Sequence, residues 1–133
     1  MYALPGQTLA MALNDVEQAI ALNPQHLSHY QLTLEPNTLF AAKPPAGIPE
    51  MDDAWDMQEA CIARMAEAGF RQYEVSAYAR EGRRCQHNLN YWTYGDYLGI
   101  GAGAHGKISS GHDGRILRRW KPKHPETYIT NAG

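Results

Sequence analysis

The 133-residue sequence has only two cysteines, Cys61 and Cys85. Two are too few for a disulfide framework or a Cys₄ zinc site. No apolar run approaches the roughly 18 residues that span a bilayer. The opening "MYALPGQT" has neither the basic nor the apolar region of a signal peptide. An excess of one charge is missing as well: 12 Lys and Arg against 14 Asp and Glu leave a net charge of −2. That balance gives no electrostatic footing for nucleic acid or an anionic membrane. Low-complexity tracts and charge blocks are absent. Together these absences point to a cytoplasmic globular protein that touches membrane at most peripherally. What is present, 44% apolar and 20% charged residues, suits one domain with a real core at this length.

"YALPG" reads as a strand end entering a Pro5-Gly6 turn, so the sequence is expected to be part of a longer chain. Thr8 can cap a helix whose Leu9, Leu13, Val16 and Ile20 share a face, and Asn23-Pro24 stops it. "HLSHYQLTLE" (26–35) alternates as a strand. After a proline-rich loop, a second helix is predicted from about Asp52 to Ala68, with Ala54, Gln58, Cys61, Met65 and Ala68 on one face and Trp55 and Ile62 widening it. Gly69 suits the left-handed end of that helix, and "QYEVSAYA" (72–79) is the third strand. Strand, helix, strand, helix, strand implies parallel strands with right-handed crossovers, an α/β sheet or barrel segment. From about residue 80 a second part is expected. It holds a loop with Cys85 and His87, a Gly-rich strand near 97–108, a "SSGHDG" turn, the strand "RILRRW" and the start of a helix at "HPETYI".

The stretch with the most chemistry is "CQHNLNYWTYGDYLGIGAGAHG" (85–106). Gly101, Gly103 and Gly106 match G-x-G-x-x-G, but "KISSGHDGR" must turn where a dinucleotide site needs a helix. The alternation of Gly99, Gly101 and Gly103 instead leaves one strand face bare, for a neighbouring element or a bound cofactor. Cys85 and His87 are two potential ligands where a closed zinc site needs four. His26, His29, His105, His112 and His124 add no H-x-x-x-H pair. His87, Tyr91 and Trp92 offer an axial imidazole beside flat aromatic surface, the needs of a haem site; taken alone, an aromatic-rich loop is more often packing than a cofactor site. Glu35, at the end of the second predicted strand, is either a ligand-edge carboxylate or a solvated one. Arg118, Arg119, Lys121 and Lys123 read as a solvated basic edge, and Cys61 as a small core residue.

"LPGQT", "YQLTLEPNT", "GFRQYEVSAYAR" and the 85–106 stretch together resemble the HemW-type haem chaperones, from about residue 2 to 128. These are radical S-adenosylmethionine proteins similar to oxygen-independent coproporphyrinogen III oxidase. "HNLNYW" fits the H-N-x-x-Y-W pattern of the chaperone branch. The resemblance implies that residues 1–79 form the last βα repeats of a partial (β/α) barrel and that residues 80–133 begin a small α+β C-terminal region. It implies that Thr33 and His105 contact S-adenosylmethionine, and that His87 ligates haem iron with Tyr91 and Trp92 beside the macrocycle. No residue is given a catalytic role. The C-x-x-x-C-x-x-C motif of the 4Fe–4S cluster is absent from this sequence, and Ala3 stands where the family usually has glycine. The chain alone is therefore not expected to cleave S-adenosylmethionine. The expected function is to bind haem and deliver it to haem-dependent proteins, with a missing N-terminal half as a further partner. A coproporphyrinogen III oxidase fragment and an inactive truncated product are the alternatives.

Overall fold

In the computed structural model, which describes residues 1–131, Thr8 has extended backbone and its Oγ1 accepts the Met11 N–H at 3.3 Å. That bond satisfies one of the donors a helix start leaves open. Helix α1 (Leu9–Ala21) follows and buries Ala12 and Val16. Replacing the cap, Thr8→Ala, is expected to cost about 1 kcal/mol, read as a lower urea midpoint; an unchanged midpoint would show that the cap contributes nothing.

Two units divide the molecule, Met1–Cys85 and a second from Gln86 onward. In the first, α1 packs on α3 (Met51–Glu67), which buries Ala54, Met57, Cys61 and Met65. That stripe runs through Met57 rather than the expected Gln58, and Trp55 lies outside it, exposed. Positions i+3 and i+4 both fall on such a helical stripe, and the apolar Met57 is the one buried. The Glu17 carboxylate takes both Arg64 Nε and Nη2, joining the helices at their rim. The Arg64 hydrogen bond holds the Glu17 carboxyl below its ordinary range. Gly69 ends α3 at φ +85°, a conformation that costs a side-chain-bearing residue strain.

Just beyond lies Phe70, 1% exposed. The Arg80 guanidinium rests 4.6 Å from its ring centre and donates to the carbonyls of Pro24 and Ala68 and to Asn23 Oδ1. One arginine thus satisfies carbonyls at the ends of two connections while stacked on a core ring.

The sheet has the order β1-β3-β2, with β1 (His26–Ser28), β2 (Arg71–Glu74) and β3 (Ala77–Ala79), and both pairings are antiparallel. This corrects the expectation of parallel pairing throughout. Among the described residues, parallel geometry occurs at the Tyr2–Gln31 bridge, where Tyr2 N–H meets the Tyr30 carbonyl and Leu32 N–H the Tyr2 carbonyl. The reason is that 72–79 is a hairpin, not one strand. Glu74 Oε2 accepts both the N–H and the hydroxyl of Ser76 at 3.2 Å, and that local bonding turns the chain. The strand expected over 26–35 also ends early, at Ser28. In the proline-rich loop Thr38 caps a short helix, α2 (Leu39–Ala42).

The second unit contains α4 (Gln86–Trp92), the antiparallel pair β4 (His105–Ser109) and β5 (Ile116–Trp120), and α5 (Pro125–Thr130). The last two residues of the segment expected over 80–133 lie outside the described ones. The Gly-rich strand expected from 97 begins instead at His105. Gly101 and Gly103 have φ of +100° and +73°, so they turn the chain rather than present a strand face.

Candidate functional site

"HNLNYW", expected as a loop, is helical in α4, and a short polar network explains how a sequence with two asparagines and aromatics holds that form. At its end Thr93 donates its N–H and its hydroxyl to the Leu89 carbonyl, both at 2.9 Å. Tyr94 takes φ +58°, and Gly95 N–H then reaches the Asn90 carbonyl at 2.7 Å while Asn90 Nδ2 donates to the Asp96 carbonyl. Asn90 is therefore a helix-terminating residue. A side chain at position 95 would strike it: a Cβ there would lie 1.9 Å from Asn90 Oδ1.

The turn after α4 is pinned to β4. Lys107 is buried, and its Nζ donates to the Tyr94 carbonyl, Asp96 Oδ1 and Ser109 Oγ at 2.7–2.9 Å. The Asp96 carboxylate also accepts the Ser109 N–H at 2.7 Å and hydroxyl at 2.8 Å. The Ser109 N–H, the Lys107 ammonium and the Ser109 hydroxyl hold the Asp96 carboxyl down at about 2. A buried ammonium requires such partners. Sequence reasoning missed this cluster; its signal was Lys107 and Ser109 two apart on one strand face, with an aspartate in the preceding turn.

On this base sit the aromatic side chains. His87 and Tyr91, one helical turn apart, meet edge to face with ring centres 6.5 Å apart, and Tyr91 meets Tyr97 in the same way at 4.8 Å. Tyr91 is 51% and Trp92 46% exposed. His87 also borders an open cleft of about 490 Å³ with Gln86, Leu89, Asn90 and Thr93. An exposed imidazole beside accessible rings can take a flat ligand through its metal and its faces.

Over 129 residues, 97% of its length, the chain is 56% identical to "Heme chaperone HemW" of Escherichia coli K12. The chain is HemW-like. It is 54% identical over 129 residues to the Haemophilus influenzae protein of that name, again over 97% of its length. With Bacillus subtilis HemW it shares 39% identity over 111 residues, 81% of the chain and 29% of the relative. The HemW-like chain spans about a third of the length of these curated relatives, 34% and 33% of the first two. No protein-family model matches it. Among solved structures, coproporphyrinogen III oxidase (HemN) of Escherichia coli, a radical SAM enzyme, superposes with TM-score 0.73 and 22% identity over 98% of this chain and 32% of that one. At that identity the likeness establishes the fold: this chain has the mixed α/β fold of the corresponding part of a radical SAM enzyme. The sequence identities to HemW make the oxidase alternative the less supported one.

The remaining expected site residues of the HemW-like chain fall in different units. Thr33, in the first, is exposed just beyond the sheet and donates its hydroxyl to Glu35 Oε1 at 3.0 Å. That bond gives Glu35 a local role, with its carbonyl accepting the Thr38 hydroxyl at 2.7 Å. His105, in the second unit, opens β4 opposite Trp120, and its carbonyl lies against Gly99, where a Cβ would come within 2.3 Å. The space beside Gly99 is thus filled by the neighbouring backbone. Cys61 is fully buried, and burial pushes its thiol up; Cys85 is half-buried, and its N–H donates to Tyr73 Oη at 3.0 Å. Among the described residues no three His, Cys, Asp or Glu side chains gather as a metal site, and no helix is long and apolar enough to cross a membrane.

Proposed function

We propose that this chain carries the haem-contact segment of a longer cytoplasmic protein that takes up haem and passes it to haem-dependent proteins. His87 would hold the iron, and Tyr91 and Trp92 would flank the macrocycle. The observation that supports this reading is the exposed His87–Tyr91 pair on α4 in a chain 56% identical to a protein named a haem chaperone. The residues fit the group: imidazole is a common ligand of haem iron, and exposed rings supply the flat apolar surface a macrocycle needs. Haem, when bound, supplies a redox-active iron; the chain's part is to hold and release it. A helix end tied down by Asn90 and Asp96 keeps the His87 and Tyr91 rings in a fixed relation before haem arrives.

The 4Fe–4S cluster does not fit this chain, which has two cysteines where the family's motif uses three. No step is derived through it. The cluster and S-adenosylmethionine belong in this reading to the full-length protein, to which this chain contributes Thr33 and His105 as S-adenosylmethionine contacts.

The test is titration of the purified chain with haem, beside His87→Ala. A saturable Soret shift in the parent chain, lost in the variant, is expected. An identical Soret spectrum in the two would overturn the assignment of His87.

A further inference from the structure

The two faces of the β4–β5 pair carry different side chains. Alternation along β5 puts Ile116, Arg118 and Trp120 on one face and Leu117 and Arg119 on the other. Arg118 stands opposite Lys107, and Tyr97 bridges to Lys107 from the other side of β4. Tyr97, Lys107 and Arg118 therefore form one row across the same face, and the Tyr97 hydroxyl lies 3.5 Å from Arg118 Nη1. The Tyr97 ring in turn meets Tyr91, and Tyr91 meets His87. A continuous line of contacts thus runs, within the second unit, from the α4 imidazole to one guanidinium.

Like charges directly opposite each other on neighbouring strands repel. Lys107 is relieved of this because it is buried and donates its ammonium protons to Tyr94, Asp96 and Ser109. Asp96 is committed there, and no carboxylate pairs with Arg118 among the described residues. Arg118 is left as the exposed, uncompensated charge of this face. Its neighbours along the strand, Ile116 and Trp120, are 59% and 75% exposed. A guanidinium framed by accessible apolar side chains suits a flat apolar ligand with an acidic substituent. The frame meets the rings, and the planar fork takes a carboxylate in two parallel hydrogen bonds.

We propose that Arg118 takes a carboxylate of the haem whose iron His87 would hold, with Tyr91 and Tyr97 along the macrocycle between the two contacts. This rests on the haem reading of α4 and deepens it. Ring-to-ring steps of 6.5 and 4.8 Å and the length of one tyrosine separate the imidazole from the guanidinium, a reach that a macrocycle with its acidic side chains covers. The ligand is then held at two points, and the one that does not involve iron sets its orientation on the aromatic row.

The test titrates haem, and haem dimethyl ester with its carboxylates capped, by absorbance into the full chain, Arg118→Ala, Arg118→Lys, Arg119→Ala and His87→Ala. Arg118 and Arg119 are exposed, so their variants are expected to fold, which circular dichroism checks. Arg118→Ala should weaken haem binding about tenfold, the worth of a hydrogen bond to a charged group, without moving the Soret maximum, because the iron ligand is unchanged. Arg118→Lys should lose less, and Arg119→Ala, on the opposite face, should lose nothing. The ester should bind the parent chain as weakly as haem binds Arg118→Ala, and that variant should not weaken the ester further. Equal haem affinity in the parent and the folded Arg118→Ala chain, or an equal loss in Arg119→Ala, overturns the contact; a Soret band that still depends on His87 then leaves the reading of α4 standing. An ester-sensitive loss in Arg118→Ala beside a spectrum indifferent to His87→Ala keeps Arg118 and overturns His87. Haem that does not bind the folded chain saturably overturns both.

Discussion

Lowering the pH from 7 to 4.5 should destabilise the first unit far more in the parent chain than in His29→Phe. His29 is 7% exposed, stacked on Tyr2 with ring centres 4.8 Å apart and edge-on to Tyr78. Its Nε2 has no hydrogen-bond partner among the described residues. Burial, and then the Met1 ammonium, lower its pKa to about 4, while Asp15 opposes them. In the unfolded chain the same imidazole takes a proton near 6.5. Between those values the unfolded state binds more protons than the folded one, so stability falls as pH drops from about 6.5 through 4 and is fully present above that window. For a buried group this shift corresponds to about 3 kcal/mol, a large share of a small domain's stability. Phenylalanine keeps a ring against Tyr2 without an ionisable nitrogen. Urea midpoints at pH 7.5, 5.5 and 4.5 for both proteins make the comparison; parallel slopes would show that His29 does not carry the dependence. Asp96 works in a different window. With its carboxyl held at about 2, its contribution is present above the ordinary carboxylate value and is lost only as pH falls toward 2. The second unit should therefore retain this tie where the first is already weakened.

Phe70→Ala should cost the first unit about 3–5 kcal/mol, the range for emptying a buried aromatic site. Two effects add. The ring is nearly wholly enclosed in the core cluster with Met65 and Tyr78. Its loss also removes the surface under the Arg80 guanidinium, which donates to Pro24, Ala68 and Asn23. Phe70→Leu, which keeps apolar volume under Arg80, should cost less than about 1.5 kcal/mol. Chemical denaturation followed by circular dichroism reads both, and near-equal losses would mean that the aromatic ring has no special part. The double variant Phe70→Ala/Arg80→Ala should cost less than the sum of the single changes if ring and guanidinium act together.

Both long helices were legible because their signals are local. The Thr8 side chain caps α1, and Gly69 closes α3 in a left-handed conformation that glycine takes without the strain other residues meet. The α/β class followed from element order. Strand direction was harder to read. Val75 is an apolar residue at an exposed hairpin tip, so the pattern ran on through a turn fixed by the Glu74–Ser76 bonds. Alternating glycines imitated a strand of period two, whereas Gly101 and Gly103 are set by turn geometry. In α4 the intrinsic preference of Asn88, Asn90 and the aromatics gave no helix signal; the tie of Asn90 to Asp96 and the Thr93 cap supply what propensity does not. The proposed haem and S-adenosylmethionine contacts came from the family resemblance. Composition brought His87, Tyr91 and Trp92 forward but could not separate a cofactor site from packing. Arg119 and Lys121 read only as part of a solvated basic edge, and their place on one sheet face with Gly106 and Ile108 is visible only once β4 and β5 pair.

The antiparallel pairing of His26 with Ala79 bears on how the chain is made. Strand β1 leaves the ribosome about 50 residues before β3, its only partner strand in that sheet among the described residues. At ordinary synthesis rates of roughly 5–20 residues per second it stays unpaired for several seconds. The second unit has no such delay, since β4 and β5 are joined by a short turn and close locally. A nascent chain is therefore most exposed to holding chaperones and to mispairing after α1 has emerged and before Tyr78 arrives, and a pause in translation between them would lengthen that window.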